Sequence, residues 1–347
     1  MKFTKRFSLL RVQVYPILLT VLMVSLPNIH CKSNQVEKTI DSNKPYITKG
    51  IPPISDSLLN QISKYQNFRS AQFRGWLPNG SGMAILTRFA ETNQIHIVKK
   101  PGGARTQVTF RTESIIDANV CPDSSKSMIL FVLDSGGNEI FQIYSLDLST
   151  SAIKLLTDGK SQNGGMVWSN RGDRFSFEST KRNGQDWDLY IQDINTGLSE
   201  LVLTQGGAWS ALDWSPDDKK LLVSKYISRT ASFLYVLDIV TRTVIPVHDT
   251  TEVSLESAVW NRNGTGIFYT SDEGTDYRSL RYYDLQTKKE KNLTKSIPWD
   301  IRYVGTSRDR KQIVFVTNEH GYAMLYIMDS EKFSYYKVEG IPRGITG

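Results

Sequence analysis

The chain has 347 residues, 39% hydrophobic and 11% aromatic, enough to bury a large core. Its formal charge of +7 includes four basic and no acidic side chains in residues 1–31, which leaves +3 for the remainder, spread without a basic stripe. That balance gives nucleic-acid binding little support, and the only cysteines, Cys31 and Cys121, do not make a disulfide framework.

The amino terminus reads as a secretory signal. "MKFTKRFSLLRVQ" supplies Lys2, Lys5, Arg6 and Arg11, and "VYPILLTVLMVSL" is uncharged and apolar through Leu26. The apolar stretch is shorter than the roughly 20 residues of a membrane-spanning helix. Cys31, in "LPNIHCKSNQ", stands where a bacterial lipoprotein carries its lipidated cysteine, but Asn28 and His30 replace the Leu and the small residue usual there. Lipidation at Cys31, ordinary cleavage and an uncleaved anchor all stay open. The expected location is the periplasm or cell envelope. Residues 1–31 are then the signal, 32–50 a polar tether and 51–347 the folded domain. Near its start, "ISDSLLNQISKYQ" (54–66) predicts a short helix capped by Ser55 or Asp56.

A repeat follows. "FRGWLPNGSGMAILT", "MVWSNRGDRFSFES", "ALDWSPDDKKLLVS" and "AVWNRNGTGIFYTS" each place a Trp before a polar turn and an apolar run: Trp76, Trp168, Trp214 and Trp260. Cys121 and Thr306 occupy the same slot in two further copies, so the slots fall at intervals of 45, 47, 46, 46 and 46. A second marker runs in step. "IYSLD", "LYIQD", "LYVLD", "RYYDL" and "LYIMD" carry Asp147, Asp193, Asp238, Asp284 and Asp329. Two independent markers with one period near 46 predict a propeller of six recognisable four-stranded blades, an all-β fold. An all-β sandwich would explain alternating strands but not the repeat. The Trp and Asp markers are accordingly structural blade residues.

Within each unit the first strand ends at the slot and the second is the apolar run. The third ends at the Asp, and the fourth follows a turn with a Thr three residues beyond it, as in "DLST" and "DINT". Cys121 in its slot reads as a small core hydrophobe.

The chemistry is sparse. The sequence contains no Gly-x-Ser-x-Gly elbow of the kind that exposes a hydrolase serine. His30, His96, His248 and His320 lie apart from any cysteine or carboxylate at metal-ligand spacing, so no metal, cofactor or catalytic residue is expected. A triad assembled across blades stays open. Three loop clusters, 134–141, 179–190 and 270–280, mix acids, Arg and aromatics. They read either as solvated hairpin loops or as a binding rim, because loops on a rigid scaffold carry function.

"DWSPDDKKLLVS" with "LYVLD" resembles the repeat of TolB-like propellers. "YQNFRSAQFRGWLPNGSGMAILTRFAETNQIHIVKKPGGARTQVTF", "DSGGNEIFQIYSLDL", "LLTDGKSQN" and "STKRNGQDWDLYI" resemble the propeller domain of bacterial prolyl oligopeptidase-type serine peptidases. The resemblance covers residues 46–347. In that family the propeller is non-catalytic and restricts access to an α/β-hydrolase domain that holds Ser, Asp and His. The resemblance runs out at "VEGIPRGITG" with the propeller repeats, so no catalytic residue carries over. It implies an exported propeller that is not itself an enzyme, serving as a protein- or peptide-binding scaffold or as a truncated peptidase propeller. The alternative is the gating subunit of a peptidase whose hydrolase domain is another chain. Six units require some closing device, or the ring is an open piece of a larger propeller.

Overall fold

The structure, a computed structural model, describes residues 49–247 and 253–344. The signal, His30, Cys31, most of the tether and His248 lie outside the described residues. The chain divides into two units between Asn67 and Phe68. The first contributes helix α1 (Asp56–Gln66), whose N-cap is Ser55: its hydroxyl accepts the Leu58 N–H at 3.3 Å. Among the described residues no helix is long and apolar enough to cross a membrane.

The second unit is the predicted propeller. Blade 1 holds β1 (Gln72–Trp76), β2 (Met83–Thr87), β3 (Gln94–Val98) and β4 (Arg105–Gln107). Blade 2 holds β5 (Asp117–Val120), β6 (Met128–Leu133), β7 (Gln142–Asp147) and β8 (Ile153–Leu155). Blade 3 holds β9 (Asn163–Trp168), β10 (Arg174–Ser179), β11 (Asp188–Asp193) and β12 (Ser199–Leu203). Blade 4 holds β13 (Ala208–Trp214), β14 (Lys220–Ser228), β15 (Ala231–Asp238) and β16 (Val244–Pro246). Blade 5 holds β17 (Leu255–Trp260), β18 (Gly266–Ser271), β19 (Ser279–Asp284) and β20 (Glu290–Asn292). Blade 6 holds β21 (Ile301–Thr306), β22 (Gln312–Glu319), β23 (Tyr322–Asp329) and β24 (Tyr335–Lys337). Each blade is one antiparallel sheet in chain order. First strands end at or just before the slots, and third strands end at the five Asp markers.

The first strands β1, β5, β9, β13, β17 and β21 neighbour one another in turn and form the inner ring. A blade set between two others is covered on both faces, which is why its second strand is apolar on both sides; all of β18 is buried. Five buried clusters, each shared by two consecutive blades, make the core. Trp168, Trp214, Trp260 and Cys121 lie inside them. Trp76 does not: it ends β1 as predicted but is 69% exposed. The slot Trp seats on the preceding blade, and among the described residues no core cluster joins blade 6 to blade 1.

The Asp marker shapes the turn between third and fourth strands. Asp193 accepts the N–H groups of Asn195 (2.9 Å) and Thr196 (2.8 Å), and Asp284 those of Gln286 (3.0 Å) and Thr287 (2.7 Å). These bonds, the Thr N–H first, hold both carboxyls below the usual range. The Thr hydroxyl adds a longer contact, as from Leu198 N to Thr196 Oγ1 at 3.3 Å. The next residue is left-handed in every such turn: Ser151, Gly197, Arg242, Lys288 and Phe333. A side chain there carries strain that Gly avoids. Lys288→Gly is therefore expected to stabilise the protein by about 0.5–1 kcal/mol, after deducting glycine's added freedom in the unfolded chain. Urea unfolding checks this, and a loss of stability would contradict the turn geometry.

Candidate functional site

The inner ring shows what the charged and polar side chains of the axis do. Between blades 1 and 2, Arg74 Nη1 pairs with Asp117 Oδ1 at 2.9 Å. Between 2 and 3, Asn119 Nδ2 donates to the Met166 carbonyl (3.2 Å) and the Trp168 indole N–H to the Asn119 carbonyl (3.1 Å). Between 3 and 4, the Trp214 indole N–H reaches the Val167 carbonyl at 3.0 Å. Between 4 and 5, the Trp260 backbone N–H donates to Asp213 Oδ2 at 2.8 Å. Between 5 and 6, the Ser257 hydroxyl donates to the Val304 carbonyl at 3.0 Å.

One end of the ring, where first strands turn into second strands, is tied across the axis. Four residues after the slot the backbone is left-handed at Gly80, Gly172, Asp218, Gly264 and Arg310. Two of these are not Gly, and each places a charge between blades. Asp218, buried, accepts the Asn170 and Arg171 N–H groups of blade 3 at 2.8 and 3.1 Å. Arg310, also buried, pairs with Asp213 of blade 4 through two bonds of 2.6 and 2.9 Å. It also donates to the carbonyls of Trp214 and Trp260 (3.1 Å each) and to Asn170 Oδ1 (3.2 Å). One guanidinium thus holds blades 3, 4, 5 and 6 together. From the same turn, Arg308 donates to the Pro122 carbonyl of blade 2.

Blade 3 carries a gap in its inner strand. Gly165 (φ +58) lies at a bulge in β9, and a Cβ there would meet Glu178 Oε1 at 2.0 Å. The glycine leaves room for Glu178, from the second strand, to face Ser210 of blade 4. Burial raises the Glu178 carboxyl, and the Ser210 hydroxyl opposes that shift. Partial loss of solvent likewise raises Asp117 against the pull of Arg74. A raised acid disfavours the charged folded state, so its cost is absent below the unfolded value of about 4.3 and grows as pH rises through the folded one. Glu178→Gln is expected to raise the unfolding midpoint at pH 8 and leave it unchanged at pH 4. Equal midpoints at both pH values would contradict this assignment.

The opposite end is the rim, made by loops between second and third strands and by the connections between blades. All three predicted loop clusters lie there, and some of their charges are paired locally. Arg182 pairs with Asp186 (2.8 Å) and with buried Asp188 (2.7 Å). Arg281, just past the third cluster, reaches Glu273 within it at 3.8 Å, and the Glu139 N–H donates to Asp134 (3.0 Å). The cluster acids thus serve as loop fasteners. Beside exposed charges such as Glu139, Lys181 and Asp276, the rim presents large apolar side chains to solvent: Phe89, Phe110, Tyr226, Ile227, Tyr277 and Tyr322 are all exposed. Motif and spacing do not single these residues out. Their one signal in the sequence is a large apolar residue inside a polar loop.

The two described histidines lie in separate blades. His96 is buried in β3, its Nδ1 bonded to the Gln94 carbonyl at 3.0 Å, and burial lowers its pKa. His320 packs edge-on against Trp299.

No protein-family model matches the chain, and no curated protein matches it. Solved structures do. Oligogalacturonate lyase from Vibrio parahaemolyticus aligns with a TM-score of 0.62 at 14% identity, over 78% of each chain. TolB from Acinetobacter baumannii aligns at 0.54 and 19% identity, over 85% of this chain and 72% of that one. A prolyl endopeptidase aligns at 0.62 and 11% identity, over 80% of this chain and 44% of that one. At these identities the likeness is one of fold. The chain has the propeller fold of TolB and the prolyl endopeptidases, and the lyase shows that an enzyme shares it.

Proposed function

We propose that this chain is an exported, non-catalytic propeller that binds a protein or peptide partner on its rim. The observation that carries the reading is the crown of exposed aromatic and aliphatic side chains at one end of the blades, set among polar loops. Exposed apolar surface of this kind marks interaction sites, and a rigid blade scaffold positions it. The polar groups of the axis are engaged in blade-to-blade bonds, a structural use that fits a scaffold. Export rests on the basic and apolar stretches of residues 1–31, and a lipid at Cys31 is one form of it.

Cross-linking in the native cells, followed by capture of the chain, tests the reading. The triple variant Phe89→Ala, Tyr226→Ala, Tyr277→Ala is expected to lose its captured partner while keeping the unfolding midpoint of the parent. Retention of the partner overturns the rim assignment. Recovery of a hydrolase-domain polypeptide at equal stoichiometry makes the chain a gate rather than a free-standing scaffold. Covalent labelling of a single serine by a fluorophosphonate overturns the non-catalytic reading.

A further inference from the structure

The repeat supplies internal controls for blade 1. Beyond the fourth strand a Thr hydroxyl accepts a third-strand N–H in blades 1, 2 and 5: Thr109 from Ile95 (2.8 Å), Thr157 from Ile143 (3.1 Å) and Thr294 from Leu280 (2.9 Å). The next two residues are Asp158–Gly159 in blade 2 and Lys295–Ser296 in blade 5, ordinary polar turn residues. In blade 1 they are Phe110–Arg111, and Phe110 is 79% exposed. The turn itself needs neither side chain.

The pair is also held in place. Buried Gln94 accepts the Arg111 N–H at 3.0 Å and donates to the Arg111 carbonyl at 3.0 Å, so both backbone groups of Arg111 are fixed. Phe110 stands between two grooves. One, of about 310 Å³, runs onto the flank past Val108, Leu146, Leu148 and Ile153. The other, of about 280 Å³, lies toward the rim beside Phe89 and Thr92. Gln107 and Arg111 border both.

Charge singles out the same blade. Residues 68–112 hold seven basic side chains and one acidic, a net +6, whereas residues 113–347 hold 26 basic and 31 acidic. The excess is therefore not spread along the folded domain, contrary to what the totals alone suggest. Of these charges Arg111 borders both grooves, whereas Arg74 pairs with Asp117 and Lys99, Lys100 and Arg105 flank the β3–β4 turn at the other end. A net-positive blade with Arg111 at an apolar groove favours an anionic partner that also carries an apolar side chain.

We propose that the Phe110–Arg111 shelf binds an acidic, extended peptide segment of a partner protein, with an apolar side chain in the flank groove and carboxylates against Arg111. This deepens the rim reading and rests on it. Grooves of this volume admit one or two side chains, and the flank groove has an aliphatic wall, so a peptide fits better than stacked bases.

The test uses the full chain and fluorescein-labelled Gly-Asp-Asp-Leu-Ile-Asp-Asp-Gly, read by anisotropy at about 0.15 M salt. Companion probes replace Leu-Ile by Ser-Ser, replace Asp by Lys, or are a single-stranded oligothymidine. The acidic apolar peptide is expected to bind with a Kd of about 10–100 μM. Phe110→Ala and Arg111→Ala should each weaken it about tenfold, while Leu198→Ala, at an exposed turn of blade 3, leaves it unchanged. Binding indifferent to Phe110 and Arg111, equal binding of the Lys or Ser probes, or tighter oligothymidine binding through the same residues overturns the proposal. If the rim triple variant loses its cellular partner while no peptide binds here, the rim reading survives and this assignment falls. If neither experiment responds, both fall.

Discussion

Arg310→Ala is expected to lower the free energy of unfolding by about 3–5 kcal/mol, the cost of breaking a buried ion pair by removing one partner. The Asp213 side chain is 15% exposed and that of Arg310 9%, so the stranded carboxylate recovers little hydration. The carbonyls of Trp214 and Trp260 lose a donor in the same change. The left-handed backbone at residue 310 works against any compensation, because Ala is as poorly suited to it as Arg. Two companion variants separate the contributions. Arg310→Lys keeps the charge but loses the planar fork, and should fall between parent and Ala. Arg310→Met with Asp213→Asn removes both charges and should recover much of the loss. Urea unfolding at constant m value reads all three. A loss below about 1 kcal/mol for Arg310→Ala would mean that the pair is hydrated in solution and that the axis is not closed by it.

That hub also marks where sequence reasoning stopped. The slots and the Asp markers were legible because each recurs at one period, and period translates directly into strand ends: β9, β13 and β17 stop at Trp168, Trp214 and Trp260, and five third strands stop at their Asp. Arg310 is a single event. Its partners lie 50, 96, 97 and 140 residues away, and no local pattern announces a contact of that kind. A trace of it existed nonetheless. Aligned by slot, the repeats place Gly at 80, 172 and 264 where Asp218 and Arg310 stand, and a charged residue at a position otherwise given to Gly signals strain kept for a purpose. The glycine gap at Gly165 and the Phe110–Arg111 departure are legible in the same way, as deviations from a repeat rather than as motifs. The rim aromatics were hidden for a different reason. Whether a loop aromatic points outward depends on packing that sequence spacing does not encode, whereas the acids and arginines of the same loops stand out in sequence.

Trp214→Ala is expected to cost about 3–5 kcal/mol, and Trp76→Ala no more than about 0.5 kcal/mol, although the two residues hold the same place in the repeat. Trp214 is 1% exposed and packs in the cluster shared by blades 3 and 4. Arg174 lies 5.0 Å over its ring, and its indole N–H is bonded to Val167 of the preceding blade. Truncation there opens a cavity between two blades and removes a donor from the half-buried Val167 carbonyl. Among the described residues Trp76 lacks such a seat, and its ring meets that of Phe73 at 5.2 Å, itself exposed. What decides the cost is the seat on the preceding blade, not the residue type or its place in the repeat. The pair of variants therefore reports on the ring as well as on the residues. Equal costs would show that Trp76 is seated in solution, so that blade 1 meets a surface there; a tenfold difference in cost would show a ring whose blade cores run from 1 to 6 without a sixth joint. The rim depends on this distinction, because Phe89, Phe110 and Arg111 all sit on blade 1. A blade joined on one face presents its binding groups less rigidly than one held on both, and the affinity of the Phe110–Arg111 shelf should rise with whatever clamps that blade.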